Sequence, residues 1–150
     1  MSWMASGRMD DGALAGFSDR VRFGEVDWGV VPDQCGVYVI YDRDEIVYVG
    51  MAGRDGSGSL RKRLKDHSSG QVVNMFAQYL FLARVQFTLA EPARHPRAAK
   101  KACHDYIAER CSFRCKGLGS ATEARGIENR LKRELKPALN ATEAPGDGSD

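Results

Sequence analysis

Three charged or titratable side chains stand where a soluble helix keeps apolar ones. In the segment Leu60–His67 (LRKRLKDH), Leu60 and Leu64 define one helix face, and Arg63 and His67, three or four positions away, fall on or beside it. Arg61, Lys62 and Lys65 point elsewhere, as solvated or phosphate-facing residues do. Further along, Ile127, Leu131 and Leu135 form a second apolar stripe with Glu128 at its edge. Glu123 has a capping role and Glu134 is ordinary surface charge, but neither reason covers Glu128. A charge turned towards a core needs a partner or a ligand. Pattern alone leaves two assignments open: a structural Arg63–Glu128 ion pair with stems reaching solvent, or side chains kept for ligand chemistry.

The charge distribution says what kind of ligand that would be. The formal net charge of the 150 residues is only +2. Residues 33–140, however, hold 19 Lys/Arg against 12 Asp/Glu, while the flanks 1–32 and 141–150 hold 3 against 8. A basic centre between acidic ends suits a polyanion, because each phosphate neutralised releases counterions. No apolar run approaches the ~20 residues needed to span a bilayer. Asp10, Asp11 and Asp19 interrupt the first apolar residues, so no secretory signal is expected and a soluble, cytoplasmic protein is. Cys35, Cys103, Cys111 and Cys115 make no paired CxxC set, which favours free thiols over disulfides. A zinc site using Cys103, His104, Cys111 and Cys115 is the weaker alternative.

The elements that must position these groups follow from periodicity and turn chemistry. Residues 1–16 read as a mobile leader, 17–32 as an arm that packs on the domain, 33–140 as the domain, and 141–150 as a disordered tail. Gly36–Tyr41 (GVYVIY) and Glu45–Gly50 (EIVYVG) alternate around the turn at residues 42–44 and predict a hairpin carrying Tyr38 and Tyr48. Taken alone, tyrosines on strands are common. A Gly/Ser loop over 51–59 leads to a helix from Leu60, N-capped by Ser59. A helix is expected over roughly residues 72–82, a half-buried strand over Arg84–Ala90 (RVQFTLA), and a helix from Pro96 to about Arg110. A short strand at Ser112–Leu118 and a helix from the capping box Ser120–Glu123 to the residue before Pro137 complete the series. The class is α+β, a small mixed β-sheet with an N-terminal hairpin, flanked by helices.

In combination, these features make the chain resemble the GIY-YIG nuclease family. Gly36-Val37-Tyr38 stands where that family has GIY, and Tyr48-Val49-Gly50 where it has YIG. Arg63 on the following helix matches the family's catalytic arginine, and His67 matches a histidine of several restriction and homing members. Ile127-Glu128-Asn129-Arg130-Leu131 through Lys136-Pro137 to Asn140 is similar to the metal-binding glutamate helix and the Lys-Pro…Asn stretch after it, also in the N-terminal nuclease module of bacterial excision-repair endonucleases. The resemblance spans about residues 33–140. It departs in Val for Ile in both tripeptides and in a longer loop after Gly50, and it assigns nothing within 70–118.

The resemblance implies endonuclease chemistry on DNA, with RNA not excluded. Glu128 would hold one Mg²⁺ or Mn²⁺ ion, and Arg63 would fork onto the scissile phosphate. Tyr38 would orient or deprotonate the attacking water, and Tyr48 would position water or phosphate. His67 would relay the Tyr38 proton or bind a phosphate oxygen. Gly50 would let the strand end turn closely past the site, Arg61, Lys62 and Lys65 would meet the nucleic acid backbone, and Asn140 would add a polar contact. With no separate specificity domain in 150 residues, four alternatives stay open: weak specificity, action on a particular DNA structure, a homodimer, or a partner protein that supplies selectivity. The rival expectation is the same scaffold kept as a catalytically silent nucleic-acid-binding or interaction module, and a zinc-stabilised interaction domain stands third.

Overall fold

β-branched and aromatic residues fill the run Gly36–Asp42, and in the computed structural model, which describes residues 12–53, 58–71 and 74–140, this run is a fully buried strand. Among the described residues the strands are β1 (Val21–Arg22), β2 (Gly36–Asp42), β3 (Glu45–Ala52) and β4 (Cys111–Gly117), in spatial order β1-β4-β2-β3. Every pairing is antiparallel, so the expected mixed sheet is instead purely antiparallel. The α+β class holds. The hairpin joins β2 to β3 through Arg43 and Asp44, with a bulge between Ile40 and Tyr41.

Among the described residues the sheet is flanked by α1 (Leu60–Ser68), α2 (Met75–Ala83), α3 (Pro96–Arg110) and α4 (Ala121–Leu135). The capping signals act as their residue types predict. Ser59 accepts from the Lys62 amide and Ser120 from the Glu123 amide. Pro96 opens α3 behind a His95 cap. Helix α4 stops at Lys136, which takes a left-handed conformation (φ 46°) before Pro137. Because β2 is covered on both sides, two cores form. Tyr38, Ile40, Tyr48 and Phe113 pack with Leu60, Leu64, Phe76 and Ile107 of α1–α3 on one face. Val37, Val39, Tyr41, Val49 and Met51 pack with Ala124 and Leu131 of α4 on the other.

Two further expectations about this frame fail. The segment Arg84–Ala90 is not a strand; Val85–Thr88 is a 3-10 helix. Its alternation is misleading because only Val85 is buried while Phe87 is 76% exposed. Its amides bond locally instead, Phe87 to the Arg84 carbonyl and Leu89 to that of Gln86. Arg84 itself is tied to Asp42 and Glu45, each at 3.0 Å. The leader expectation fails from Gly12 onward: Gly12–Ala13 are helical and Leu14 is fully buried in the second core. Residues 1–11, the tail 141–150, loop residues 54–57 and the expected helix start at 72–73 lie outside the described residues. The arm beyond Leu14 adds β1 to the sheet and stacks Trp28 on Phe113 with ring centroids 6.1 Å apart.

Candidate active site

Cross-strand register sets the first two groups. Tyr38 lies opposite Gly50, and Ile40 opposite Tyr48, so the two tyrosines project from one face two residues apart in register. Their ring centroids are 6.5 Å apart. A Cβ at position 50 would collide with the Tyr38 phenol. Gly50 therefore sits inside β3 as the space into which Tyr38 leans, not at a strand end turning past the site. Gly36 serves a parallel purpose, since a Cβ there would meet the Lys116 carbonyl and bring Leu60 of α1 within 2.7 Å. Both tripeptide glycines are contact points between layers.

Helix α1 brings the third group. Its buried residues are Leu60, Leu64 and His67, an i, i+4, i+7 stripe. His67 is 3% exposed, and its Nε2 lies 2.6 Å from the Tyr38 hydroxyl. Its Nδ1 lies 2.8 Å from Asn74 Oδ1, which also accepts from the Ala77 amide at the start of α2. An oxygen already accepting from a backbone N–H requires a donor from the ring, so Nδ1 carries the proton and Nε2 accepts from Tyr38. Burial, the largest influence, lowers the imidazole pKa to about 4, against the Asn74 hydrogen bond, with the nearby Arg63 charge lowering it further. His67 is thus neutral at physiological pH. Tyr48 and Phe76 wall the ring at centroid distances of 6.0 and 5.3 Å.

Arg63 lies beside this group but not in the core. It is exposed, which corrects the expectation that it faces inward, and no hydrogen bond or ion pair of its side chain occurs among the described residues. The Arg63–Glu128 pair does not form. Instead Arg63, with Lys62 and Ser59, lines an open cleft of about 350 Å³ beside Ala52 and Gly53. The first-turn amides of α1 are not free for an anion. Leu60 donates to Gln34, Arg61 to Pro32, Lys62 to Ser59 Oγ and Arg63 to the Ser59 carbonyl. Any phosphate held here would be held by side chains.

Glu128 is buried at the centre of the α4 stripe, with Ala124 and Leu131, rather than at its edge. Lys132 Nζ lies 3.6 Å from its Oε2. Helices α1 and α4 cover opposite faces, and both border the edge strand β3. The remaining predicted residues separate into two kinds. Lys62 pairs with Asp66 on the exposed face, and Lys65 is exposed. Arg61 is engaged with the arm, donating to the Val31 and Gly29 carbonyls with Asp33 at 3.8 Å, so it is not a free phosphate contact. Asn140 is buried and grips β3: its Oδ1 accepts from the Val49 amide at 2.6 Å and its Nδ2 donates to the Val49 carbonyl at 3.1 Å. That occupation removes Asn140 from nucleic-acid contact and makes it a brace for Tyr48 and Gly50.

The cysteines do not converge. Cys103, Cys111 and Cys115 are buried, burial raises all three thiols (Cys103 to about 11), and exposed His104 bonds the Ser68 carbonyl. Among the described residues no group of three or more His, Cys, Asp or Glu side chains could hold a metal ion. A single-carboxylate site at Glu128 is a different matter. Mg²⁺ and Mn²⁺ use one or two carboxylates with water and phosphate, so the donor chemistry of Glu128 fits, provided the Lys132 ammonium gives way.

Two groups escaped the sequence reading. Asn74 was legible as an N-cap residue type, but its bond to His67 was not. Asp42, 4% exposed, holds Arg84 at 3.0 Å and the Tyr106 hydroxyl at 2.7 Å in a buried network no periodicity signals. Among the described residues no helix is long and apolar enough to cross a membrane. Neither models of known protein families nor the curated proteins searched give a match to this chain.

Proposed function

We propose that this protein is a divalent-metal-dependent endonuclease of the GIY-YIG type that hydrolyses DNA phosphodiester bonds. The observation that carries the reading is the oriented chain Tyr38–His67–Asn74, set over Gly50 and flanked by Tyr48. The Tyr38 O–H donates to His67 Nε2, so towards a water the phenol oxygen acts as an acceptor. Burial holds the His67 imidazole well below its ordinary pKa, which makes it a weak acceptor for the Tyr38 proton. That direction favours Tyr38 orienting the attacking water over deprotonating it. Arg63, permanently charged and without a partner among the described residues, supplies a fork for the phosphoryl oxygens at the cleft beside Ser59. Glu128 would hold Mg²⁺ or Mn²⁺, which when bound supplies charge neutralisation at the scissile phosphate and the leaving oxygen.

The silent-module reading has one observation in its favour. Tyr38 and His67 are 2% and 3% exposed, so water and phosphate reach them only if the neighbouring side chains move. Nicking of supercoiled plasmid with Mg²⁺ or Mn²⁺ separates the two. The nuclease reading expects nicking that EDTA abolishes and that Tyr38→Phe and Glu128→Ala lose. Glu128→Ala as fast as wild type with Mg²⁺ removes the metal assignment. No cleavage of plasmid, branched or single-stranded DNA, or RNA, leaves the silent module.

A further inference from the structure

The hairpin turn between β2 and β3 carries an arginine in the wrong conformation. Arg43 has φ 60°, a left-handed turn position normally given to Gly, Asn or Asp. Its side chain is exposed and has no hydrogen bond or ion pair among the described residues. A strained residue of the wrong type, kept where glycine would be easier, points to a use for its side chain.

Around it lies a cleft of about 520 Å³ into which Arg20, Arg22 and Arg110 also face. Two of these guanidinium groups are aimed by backbone carbonyls. Arg20 donates to the Arg43 carbonyl at 2.8 Å and lies 4.2 Å over the Tyr41 ring, and Arg22 donates to the Glu109 carbonyl at 2.8 Å. Exposed carboxylates pair with these groups: Asp44 accepts from Arg20 at 3.2 Å and Glu109 from Arg110 at 3.5 Å, both on the cleft lining, and Glu25 lies 3.6 Å from Arg22. Such surface pairs are weak and exchange readily for a stronger anion. On the wall sits Ser112, 4% exposed, in register with Arg22 and Tyr41. Its hydroxyl has no hydrogen bond among the described residues. A hydroxyl donor in a buried residue, set among oriented guanidinium forks, is the donor set of a phosphate site.

We propose that the Arg20–Arg22–Arg43–Arg110 cleft, with Ser112 on its wall, binds a backbone phosphate of duplex DNA at a site separate from Tyr38. Five residue steps along β2 and into its turn take the chain from Tyr38 to Arg43, about 16 Å, too far for one phosphate to touch both. The inference rests on the proposed function for its ligand, a DNA strand, but not for the cleavage chemistry.

The test is binding of a labelled 20-base-pair duplex in EDTA, where no metal-dependent cutting occurs, over a series of salt concentrations. Arg43→Gly relieves the left-handed strain, so its melting temperature should be unchanged or higher. It should nevertheless bind about tenfold more weakly, with the slope of log K against log salt smaller by about 0.9. Ser112→Ala removes an unpartnered hydroxyl at little risk to folding and should weaken binding severalfold. Arg43→Gly and Ser112→Ala with wild-type affinity and salt slope overturn the proposal, as does a wild-type protein that binds inorganic phosphate but no duplex. Plasmid nicking by the wild type is scored separately. Nicking with unaltered Arg43→Gly binding sinks this site alone, whereas Arg43-dependent binding without nicking sinks only the nuclease chemistry.

Discussion

His67 should make the stability of the fold depend on acid in a way a single substitution can isolate. In the unfolded chain its pKa is near 6.5, and in the fold it is about 4 because the ring is buried. Between these values the unfolded state binds a proton that the native state refuses, so stability falls as pH drops from 6.5 and the loss is complete near 4. A gap of about 2.5 units corresponds to roughly 3 kcal/mol, a large share of a small domain's stability. Carboxylates titrate over the same range, so the measured quantity is the difference between wild type and His67→Gln. Urea unfolding at pH 7.5 and at pH 4.5 should show the wild type losing about 3 kcal/mol more than the variant. His67→Gln should be the less stable protein at pH 7.5, because the Tyr38 and Asn74 bonds are disturbed. The two curves should converge in acid. Parallel pH profiles would refute the argument, for they would mean that His67 is protonated in the fold or reaches solvent.

Gly50→Ala should destabilise by about 1–3 kcal/mol through overpacking against Tyr38, read as a lower urea midpoint with an altered His67 ring shift in NMR; an unchanged midpoint would place the Tyr38 ring elsewhere. Arg63→Lys should leave the melting temperature within a degree or two, because the exposed guanidinium has no partner among the described residues, while plasmid nicking falls by a large factor; equal nicking would remove Arg63 from the phosphate. Asn140→Ala loses two buried hydrogen bonds to Val49 and strands its amide and carbonyl, so a loss of about 2–3 kcal/mol is expected in chemical denaturation, and a neutral result would argue that water replaces the carboxamide.

Much of the frame was legible because local rules and tertiary packing agree. The hairpin announced itself by alternation, α1 and α4 by serine caps, and α3 by its proline. The sheet's all-antiparallel order was not legible, since β1 is two residues long and pairs across ninety residues of sequence. The strand expected at Arg84–Ala90 failed because alternation specifies a strand only where a neighbouring strand accepts its amides. At the candidate site, helix arithmetic placed His67 correctly and misplaced its neighbour. Leu60, Leu64 and His67 span a narrow stripe, and Arg63 falls roughly 70° from its centre at 100° per residue. The same arithmetic anchored on Ile127 set Glu128 at an edge, whereas Ala124 and Leu131 flank it in the buried stripe. The bond from His67 to Asn74 lay beyond reach, because a carboxamide that caps a helix gives no sign of what else approaches it.

The grip of Asn140 on Val49 also bears on solubility. Strand β3 is an edge, eight residues long, with apolar side chains over most of its length. An edge of that kind offers its unpaired amides and carbonyls to any other extended chain. Here the Leu139 amide bonds the Val47 carbonyl and the Asn140 side chain takes both polar groups of Val49, so the middle of the edge is occupied by two residues that form no strand. A carboxamide thereby imitates a peptide group and ends the ladder, since it has no backbone to pass the pattern on. Leu139 and Asn140 cover the middle of the β3 edge, where another extended chain would otherwise pair.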